Sequence, residues 1–301
     1  MNSIEKALQK LNQKTSEQKK ETGLQNPSET KPISIEKPDE KSMKNQSESS
    51  KGNDVAACIQ IDFAMLEQKG FVSTNSQRQL INEEYRAIKR KLLNNAFGPL
   101  SKSLNNSNII MVTSCRPGEG KTFTAINLAL SIALEQDKTV LLVDADVLRP
   151  NVMKTLELEN RQGLMEYLLG EKENLSEVMC KTNLDNLRII PAGKSHHLST
   201  ELLASEKMFE SVEEFANRYS DRVVIVDTPP LLGINETAIL ANLAGQAVVV
   251  TEESKTKLMD IERAVKQLNP EMAIGFIVNK SEIVNSANTG YEYGYYYDGS
   301  N

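Results

Sequence analysis

Short apolar runs alternate with helical patterns along most of the chain. Continuous apolar runs such as VVIVD, bounded by helical segments, predict an α/β fold with a mostly parallel sheet and helices on both faces. The strand candidates lie at 109–113, 139–143, 187–191, 223–227, 247–251 and 274–279, and helical patterns fill 122–135, 164–169, 199–218, 234–243 and 257–268.

The amino-terminal part follows a different pattern. Ile4, Ala7, Leu8 and Leu11 recur at helical spacing and predict a short amphipathic helix over residues 1–12. Two interpretations stay open for this helix. It is either a marginal helix that frays in isolation or an element that docks on a partner or a membrane surface.

The remaining composition divides the chain further. Residues 13–54 contain only four hydrophobic side chains and predict a disordered linker. A core domain is expected over 55–284, and it includes an amphipathic helix at 76–93 near its amino terminus. Residues 285–301 are polar and rich in glycine and tyrosine, which predicts a flexible tail.

Charge and residue counts exclude several classes of function. The chain has 301 residues and a net charge of −6, which disfavours general binding to nucleic acid. Its three cysteines are scattered, as expected in a reducing compartment. Only His196 and His197 are present, which disfavours a histidine-rich zinc site. There is no long apolar segment and no secretory signal pattern, so the sequence predicts a cytoplasmic protein.

A glycine-rich loop follows the first strand candidate. IIMVTS leads into CRPGEGKT and then into the apolar helix pattern FTAINLALSIAL. Glycines let a backbone approach a polyphosphate, whose oxygens then face amide groups at a helix amino terminus. The residues predicted to bind the nucleotide are Pro117, Gly118, Glu119, Gly120, Lys121, Thr122 and Phe123.

Carboxylates end two of the strand candidates. LLVDAD carries Asp144 and Asp146, and VVIVDTPP carries Asp227. Carboxyl ends of parallel strands border the ligand crevice of such a sheet. Carboxylates there suit Mg²⁺ or deprotonation of an attacking hydroxyl. Aspartate after a strand is also a common helix cap, and that interpretation stays open.

The tail contains a cluster of tyrosines. A phenol is a potential nucleophile for phosphoryl transfer, and a flexible tail can deliver it to a site. The alternative is an aromatic segment that packs elsewhere. The candidate phosphoacceptors are Tyr291, Tyr293, Tyr295, Tyr296 and Tyr297.

Together these motifs resemble the bacterial tyrosine autokinases (BY-kinases) of exopolysaccharide and capsule synthesis. The likeness is greatest to the stand-alone cytoplasmic form associated with exosortase-linked operons. It covers about 63–301 and rests on PGEGKT, LLVDAD, VVIVDTPP and the tyrosine cluster. GLMEYLLG, ELLAS and GFIVNK also look like the family.

The resemblance implies a P-loop fold of the deviant-Walker type, shared with partitioning ATPases. It implies transfer of the γ-phosphate of ATP, with Mg²⁺, to tyrosines of a neighbouring subunit. By position, Lys121, Asp144, Asp146 and Asp227 become the catalytic set. Asp144 is expected nearest the phenol, although it could exchange roles with Asp146. The implied metal ligands are Thr122, Asp146 and Asp227.

The resemblance also implies an assembly. Glu83, Arg86 and Lys89 match a family helix that packs subunits into a ring. Their three-residue spacing places them on one helix face. The implied partners are a membrane activator of the chain-length-regulator type and a cognate tyrosine phosphatase, with no nucleic acid. The kinase would then sit at the inner face of the plasma membrane through its partner.

Two departures and two alternatives accompany this interpretation. Cys115 occupies a place where the usual phosphate loop has glycine, and Leu148 replaces one of two basic residues before Pro150.

A partitioning-type ATPase would share the loop and the acids, but it has no use for the tyrosine tail. A non-catalytic scaffold of a polysaccharide assembly complex would use ATP only to order the ring.

Overall fold

The computed structural model describes residues 58–72 and 80–281. The predicted helix at 1–12, the linker at 13–54 and the tail at 285–301 lie outside them. The described strands are β1 (Ile109–Ser114), β2 (Thr139–Asp144), β3 (Cys180–Lys181), β4 (Leu187–Ile190), β5 (Arg222–Asp227), β6 (Gln246–Glu252) and β7 (Ala273–Asn279).

These strands form one sheet in the order β3-β4-β2-β5-β1-β6-β7. Every neighbouring pair is parallel except β3 with β4 at one edge. The predicted mostly parallel sheet is therefore confirmed. The antiparallel strand β3 was missed, because two residues are too short to show an alternating pattern.

Helices cover the sheet. They are α1 (Phe63–Gln68), α2 (Leu80–Phe97), α3 (Lys121–Ala133), α4 (Val152–Thr155), α5 (Leu164–Leu168), α6 (Ser199–Leu203), α7 (Glu206–Asn217), α8 (Asn235–Ala241) and α9 (Leu258–Val265), with short 3-10 helices at Pro99–Ser103 and Leu175–Glu177.

One predicted helix is in fact two. The pattern over 199–218 predicts a continuous helix, whereas the structure has α6 and α7 separated at Ser205. The Ser205 hydroxyl accepts a hydrogen bond from the Met208 backbone amide, at 3.3 Å, and begins α7. Serine favours this capping position, which side-chain periodicity does not reveal.

The sheet has a hydrophobic core on each face. Met111 and Val143 point into one core, and Val112 and Leu142 into the other. This alternation within single strands is the two-residue period of an extended chain, with both faces covered. Helix α3 is buried around most of its circumference because α2 packs against its outer side. Helices on both faces are therefore confirmed.

Lys89 docks α2 on α3. Its side chain is buried, and its ammonium donates to the Ser131 carbonyl at 2.8 Å and pairs with Glu135 at 2.5 Å. Glu83 and Arg86 instead form an exposed pair at 2.7 Å. The expectation that all three residues share one face is thus wrong for Lys89. Six residues along a helix rotate a side chain by about 120°, which turns Lys89 inward.

Gln246 ties the end of α2 to the start of β6. This fully buried side chain donates to the backbone carbonyls of Leu92 at 3.1 Å and Ser107 at 2.7 Å. Its amide oxygen accepts a hydrogen bond from Asn95 at 3.0 Å. A buried amide with three partners is costly to remove, because the partners lose their hydrogen bonds as well.

We expect Gln246→Leu to lower the free energy of unfolding by about 1–3 kcal/mol, because two buried carbonyls and one amide lose their partner. Urea unfolding followed by circular dichroism measures the change. Gln267→Leu on the exposed surface is the matched control and should change stability by less than about 0.5 kcal/mol. Equal stability of the two variants would contradict the prediction.

Candidate functional site

The loop between β1 and α3 has the shape of a phosphate cradle. Gly118 and Gly120 have positive φ angles of 88° and 101°, which strongly favour glycine. A Cβ atom on Gly120 would also lie 2.0 Å from the side-chain nitrogen of Asn279. The loop ends where α3 begins, so free backbone amides of the first turn are available to an anion.

A cleft of about 690 Å³ opens beside this loop. Three segments form its walls: the phosphate loop with the start of α3, the chain from Asp146 into α4, and the loop after β5. The lining residues are Pro117, Gly118, Gly120, Lys121, Thr122, Phe123, Asp146, Leu148, Arg149, Pro150, Asn151, Lys154, Thr155, Pro230, Leu232, Gly233 and Ile234.

Lys121 lies at the centre of the charged residues in this cleft. Its ammonium is 2.7 Å from an Asp146 carboxylate oxygen and 3.5 Å from an Asp227 oxygen. Burial opposes the charged form, but the carboxylates of Asp227 and Asp146 outweigh it and raise the pKa of Lys121. Lys121 is therefore a cation at neutral pH. The structure brings together three of the predicted site residues.

The side chains of Thr122 and Asp227 contact each other next to Lys121. The Thr122 hydroxyl donates to one Asp227 oxygen at 2.7 Å. The other Asp227 oxygen, Oδ1, is buried and accepts no hydrogen bond from the described residues. Burial raises the pKa of Asp227, which Lys121 and Thr122 partly offset.

These oxygen atoms fit the chemistry of Mg²⁺. The ion prefers hard oxygen donors and keeps several waters, so one or two carboxylates suffice beside phosphate oxygens. Thr122, Asp146 and Asp227 provide such donors, and Oδ1 of Asp227, which lies 3.5 Å from the Lys121 ammonium, accepts no hydrogen bond from the described residues. Within residues 58–72 and 80–281, no group of three or more His, Cys, Asp or Glu side chains is arranged to hold a metal.

Asp144 and Asp146 differ in their surroundings. Asp144 does not line the cleft; it is buried and accepts backbone hydrogen bonds from Val152 at 3.0 Å and Asn151 at 3.2 Å. It therefore caps α4, the structural interpretation that the sequence left open. Burial, reinforced by Asp227, raises the pKa of Asp144 to about 7. Asp146 faces the cleft and also accepts from the Arg149 amide at 3.1 Å.

Glu119 braces the loop from the side away from the cleft. Its buried carboxylate accepts hydrogen bonds from the Arg116 amide at 2.7 Å and the Thr256 hydroxyl at 2.5 Å. Arg116 in turn grips Asp260 with two hydrogen bonds of 2.8 and 3.0 Å. The Glu119 side chain is thus not among those that line the cleft.

The end of β7 also holds the loop. Asn279 donates to the Glu119 carbonyl at 2.9 Å, and Lys280 donates to the Gly118 carbonyl at 2.7 Å. Neither residue is predicted from the sequence to belong to the site. Their position at the end of the last strand was the available signal, because carboxyl ends of parallel strands meet at one edge.

The other predicted site residues lie elsewhere. The five candidate phosphoacceptor tyrosines fall outside the described residues. Glu83, Arg86 and Lys89 belong to α2 and line no part of the cleft. In the part of the chain that the structure describes, no helix is long and apolar enough to cross a membrane.

Known proteins are similar to this chain in sequence and in fold. The chain is 33% identical over 231 residues to the tyrosine-protein kinase YwqD of Bacillus subtilis, spanning 76% of this chain and 92% of YwqD. It is 37% identical over 179 residues to the tyrosine-protein kinase CpsD of Streptococcus pneumoniae, spanning 58% of this chain and 77% of CpsD. The match to EpsB of Ralstonia nicotianae is 34% identical and covers 21% of that longer protein.

Solved kinase domains have the same architecture. The kinase domain of the Escherichia coli tyrosine kinase ETK matches with a TM-score of 0.58 and 25% identity, covering 78% of this chain and 93% of that domain. The BceF tyrosine kinase domain matches with a TM-score of 0.59 and 26% identity, covering 71% and 86%. A family model described as an AAA domain matches residues 107–273, which include the phosphate loop and both carboxylate strands. The predicted P-loop fold and the family resemblance are confirmed, and the chain belongs to the bacterial tyrosine-protein kinases.

Proposed function

We propose that this kinase binds Mg-ATP in the cleft and phosphorylates tyrosines in the carboxy-terminal tail of a neighbouring copy of the same protein. The observation that supports this proposal most is the buried ammonium of Lys121 beside Asp146 and Asp227. ATP, when bound with Mg²⁺, supplies the phosphoryl group. The phosphoacceptors would be Tyr291, Tyr293, Tyr295, Tyr296 and Tyr297.

Each residue of the cleft then has a distinct task. The amides of the phosphate loop and the Lys121 ammonium hold the phosphate oxygens and their negative charge. Thr122 and Asp227 would provide the protein's oxygen ligands for Mg²⁺, which leaves Asp146 to face the attacking phenol.

Asp146 is better placed than Asp144 to face the attacking phenol. Asp146 lines the cleft, whereas the oxygens of Asp144 are engaged with backbone amides of α4. In the proposed reaction, the phenol oxygen bonds to the γ-phosphorus, the bond from that phosphorus to the bridging oxygen breaks, and the phenol proton passes toward Asp146. The apolar side chains of Leu148, Leu232 and Ile234 offer surface for the phenol ring.

The same proposal covers the cellular role. Tail phosphorylation would regulate exopolysaccharide polymerisation or export, and a tyrosine phosphatase would reverse it. The exposed Glu83–Arg86 pair would contribute to a ring of subunits. A membrane activator of the chain-length-regulator type would complete the nucleotide site and hold the kinase at the inner face of the plasma membrane.

Lys121→Met should reduce phosphotyrosine formation by about 100-fold or more, because the cation that faces the phosphates is lost. Intact mass and peptide mapping after incubation with Mg-ATP measure the phosphates on each tail tyrosine. The matched control is Lys266→Met on the exposed surface, which should keep wild-type activity.

A trans assay completes this test. A chain truncated after Gly290 is the enzyme, and the Lys121→Met chain is the acceptor. Phosphate on the acceptor supports transfer between copies. Each assay is repeated with the cytoplasmic segment of the membrane activator. ATP hydrolysis without phosphotyrosine under both conditions would favour a partitioning-type ATPase and overturn the proposal.

Asn279→Ala should weaken Mg-ATP binding about tenfold while the protein stays folded. The substitution removes the hydrogen bond that holds the Glu119 carbonyl, and a looser phosphate loop presents its amides less well. Isothermal titration calorimetry measures the dissociation constant. Asn217→Ala, an exposed asparagine on α7, serves as control. Identical affinity of the two variants would show that this contact does not support nucleotide binding.

A further inference from the structure

A second groove lies at the amino ends of the strands, on the side of the sheet opposite to the nucleotide cleft at their carboxyl ends. Its volume is about 260 Å³, and its walls come from the amino ends of β2 and β5, the start of β4, and the carboxyl end of α7. Thr139 pairs with Arg222 at this edge, and Asp144 pairs with Asp227 at the other. Five residue steps separate the two edges, which is about 17 Å along a strand.

Arg222 is a buried cation in this groove with no direct ion pair among the described residues. Its side chain is only 9% exposed, and its guanidinium carbon lies 4.0 Å from the centre of the Tyr219 ring. Within the described residues, no hydrogen bond or ion pair reaches this guanidinium. Burial lowers the pKa of Arg222, whereas Tyr219 and the carboxylate of Asp221 oppose this shift. The positive charges of Arg188 and Arg218 lower this pKa further.

A second arginine faces the same groove. Arg188 is half-buried on β4, and no hydrogen bond or ion pair to its guanidinium is found in residues 58–72 and 80–281 either. Arg218 differs, because Glu214 one turn earlier on the same helix neutralises it. Two guanidinium groups without partners therefore line one small groove. A buried charge is costly unless a group of opposite charge pairs with it.

Thr139 provides an independent sign of a missing ligand. Its hydroxyl is buried, lines the groove and has no hydrogen-bond partner among the described residues. Unsatisfied buried polar groups are rare in folded proteins and call for a specific cause. The hydroxyl and the Arg222 side chain belong to directly paired positions of neighbouring strands. An unsatisfied hydroxyl and a guanidinium without a hydrogen-bond partner in the described residues thus belong to adjacent strand positions at this groove.

The remaining residues of the groove restrict which ligand it could bind. Leu175, Met179 and Phe215 are apolar and suit a ring or hydrocarbon. The carboxylates of Asp185 and Asp221 also line the groove, and they disfavour an anion that makes no specific hydrogen bonds. The Arg222 guanidinium lies over the Tyr219 ring, and a guanidinium in that position can still donate two N–H groups to phosphate oxygens.

We propose that this groove is a binding site for an aryl phosphate, in which Arg222 and Arg188 donate to the phosphate and the apolar wall holds the ring. Phosphotyrosine is the aryl phosphate that a tyrosine-protein kinase produces. The groove would therefore bind a phosphorylated tyrosine away from the site of transfer. This inference needs only the family activity and does not depend on which tyrosines are phosphorylated.

Calorimetry on the full chain tests the proposal with phenyl phosphate, inorganic phosphate and phenol as probes. Saturating Mg-ADP is present so that the phosphate loop does not take up the probe, and the titrations are repeated in the Lys121→Met chain. We expect one site for phenyl phosphate, with binding to inorganic phosphate and to phenol at least tenfold weaker. If the protein does not bind Mg-ADP, that result counts against the proposed function alone. The titration of phenyl phosphate into the Lys121→Met chain still measures binding to the groove.

Arg222→Met and Arg188→Met should each weaken phenyl phosphate binding at least tenfold, because a charge-assisted donor is lost. Arg90→Met, an exposed arginine on α2, is the matched control and should bind as the wild type does. Without a probe, Arg222→Met should melt no lower than the wild type, because a buried unpaired charge is removed. If Arg222→Met unfolds instead, the affinity of the Arg188→Met variant for phenyl phosphate decides whether the groove binds the probe.

Three results would overturn the proposal. Phenyl phosphate binding that survives both groove variants would place the probe elsewhere on the protein. Inorganic phosphate that binds as tightly as phenyl phosphate would exclude a site selective for the ring. Absence of phenyl phosphate binding to the wild type would show that the two arginines have no such ligand, including the case in which an acidic segment of this chain already occupies the groove.

Discussion

The position of the Lys121 ammonium between Asp146 and Asp227 is the constraint on which the site depends. A buried charge is tolerated only where opposite charge and hydrogen bonds surround it. The three residues come from distant parts of the chain, at the ends of different elements. The pairing of β2 with β5, which places Asp144 beside Asp227, therefore has to be kept for the cleft to exist.

The phosphate loop is held from two sides. On the cleft side, Lys121 and Thr122 are fixed by carboxylates at strand ends. On the other side, Asn279 and Lys280 donate to carbonyls of the loop, and Arg116 grips Asp260. A loop with few conformations open to it presents its amides at a lower entropic cost. Residues close to the end of the described chain thus share in shaping the nucleotide site.

The two edges of the sheet carry opposite charge in their buried centres. The carboxyl ends of β2 and β5 bring aspartates together, and Lys121 is the cation buried among them in the described part of the chain. The amino ends of the same strands bring Arg222 and Thr139 together, and within the described residues neither the guanidinium nor the hydroxyl has a direct hydrogen-bond partner. Parallel strands produce this division, because every strand starts at one edge and ends at the other.

The pattern of apolar runs by itself determined the fold class and six of the seven described strands, because strands in such a sheet are rich in apolar residues and five of these six are largely buried on both faces. It also located Lys121, Asp146 and Asp227, since strand ends and glycine-rich loops are local features. Only the tertiary structure decided that Asp144 caps a helix, that Lys89 turns inward and that Asn279 braces the loop. Those outcomes depend on which distant segment each side chain meets, and local periodicity carries no information about that.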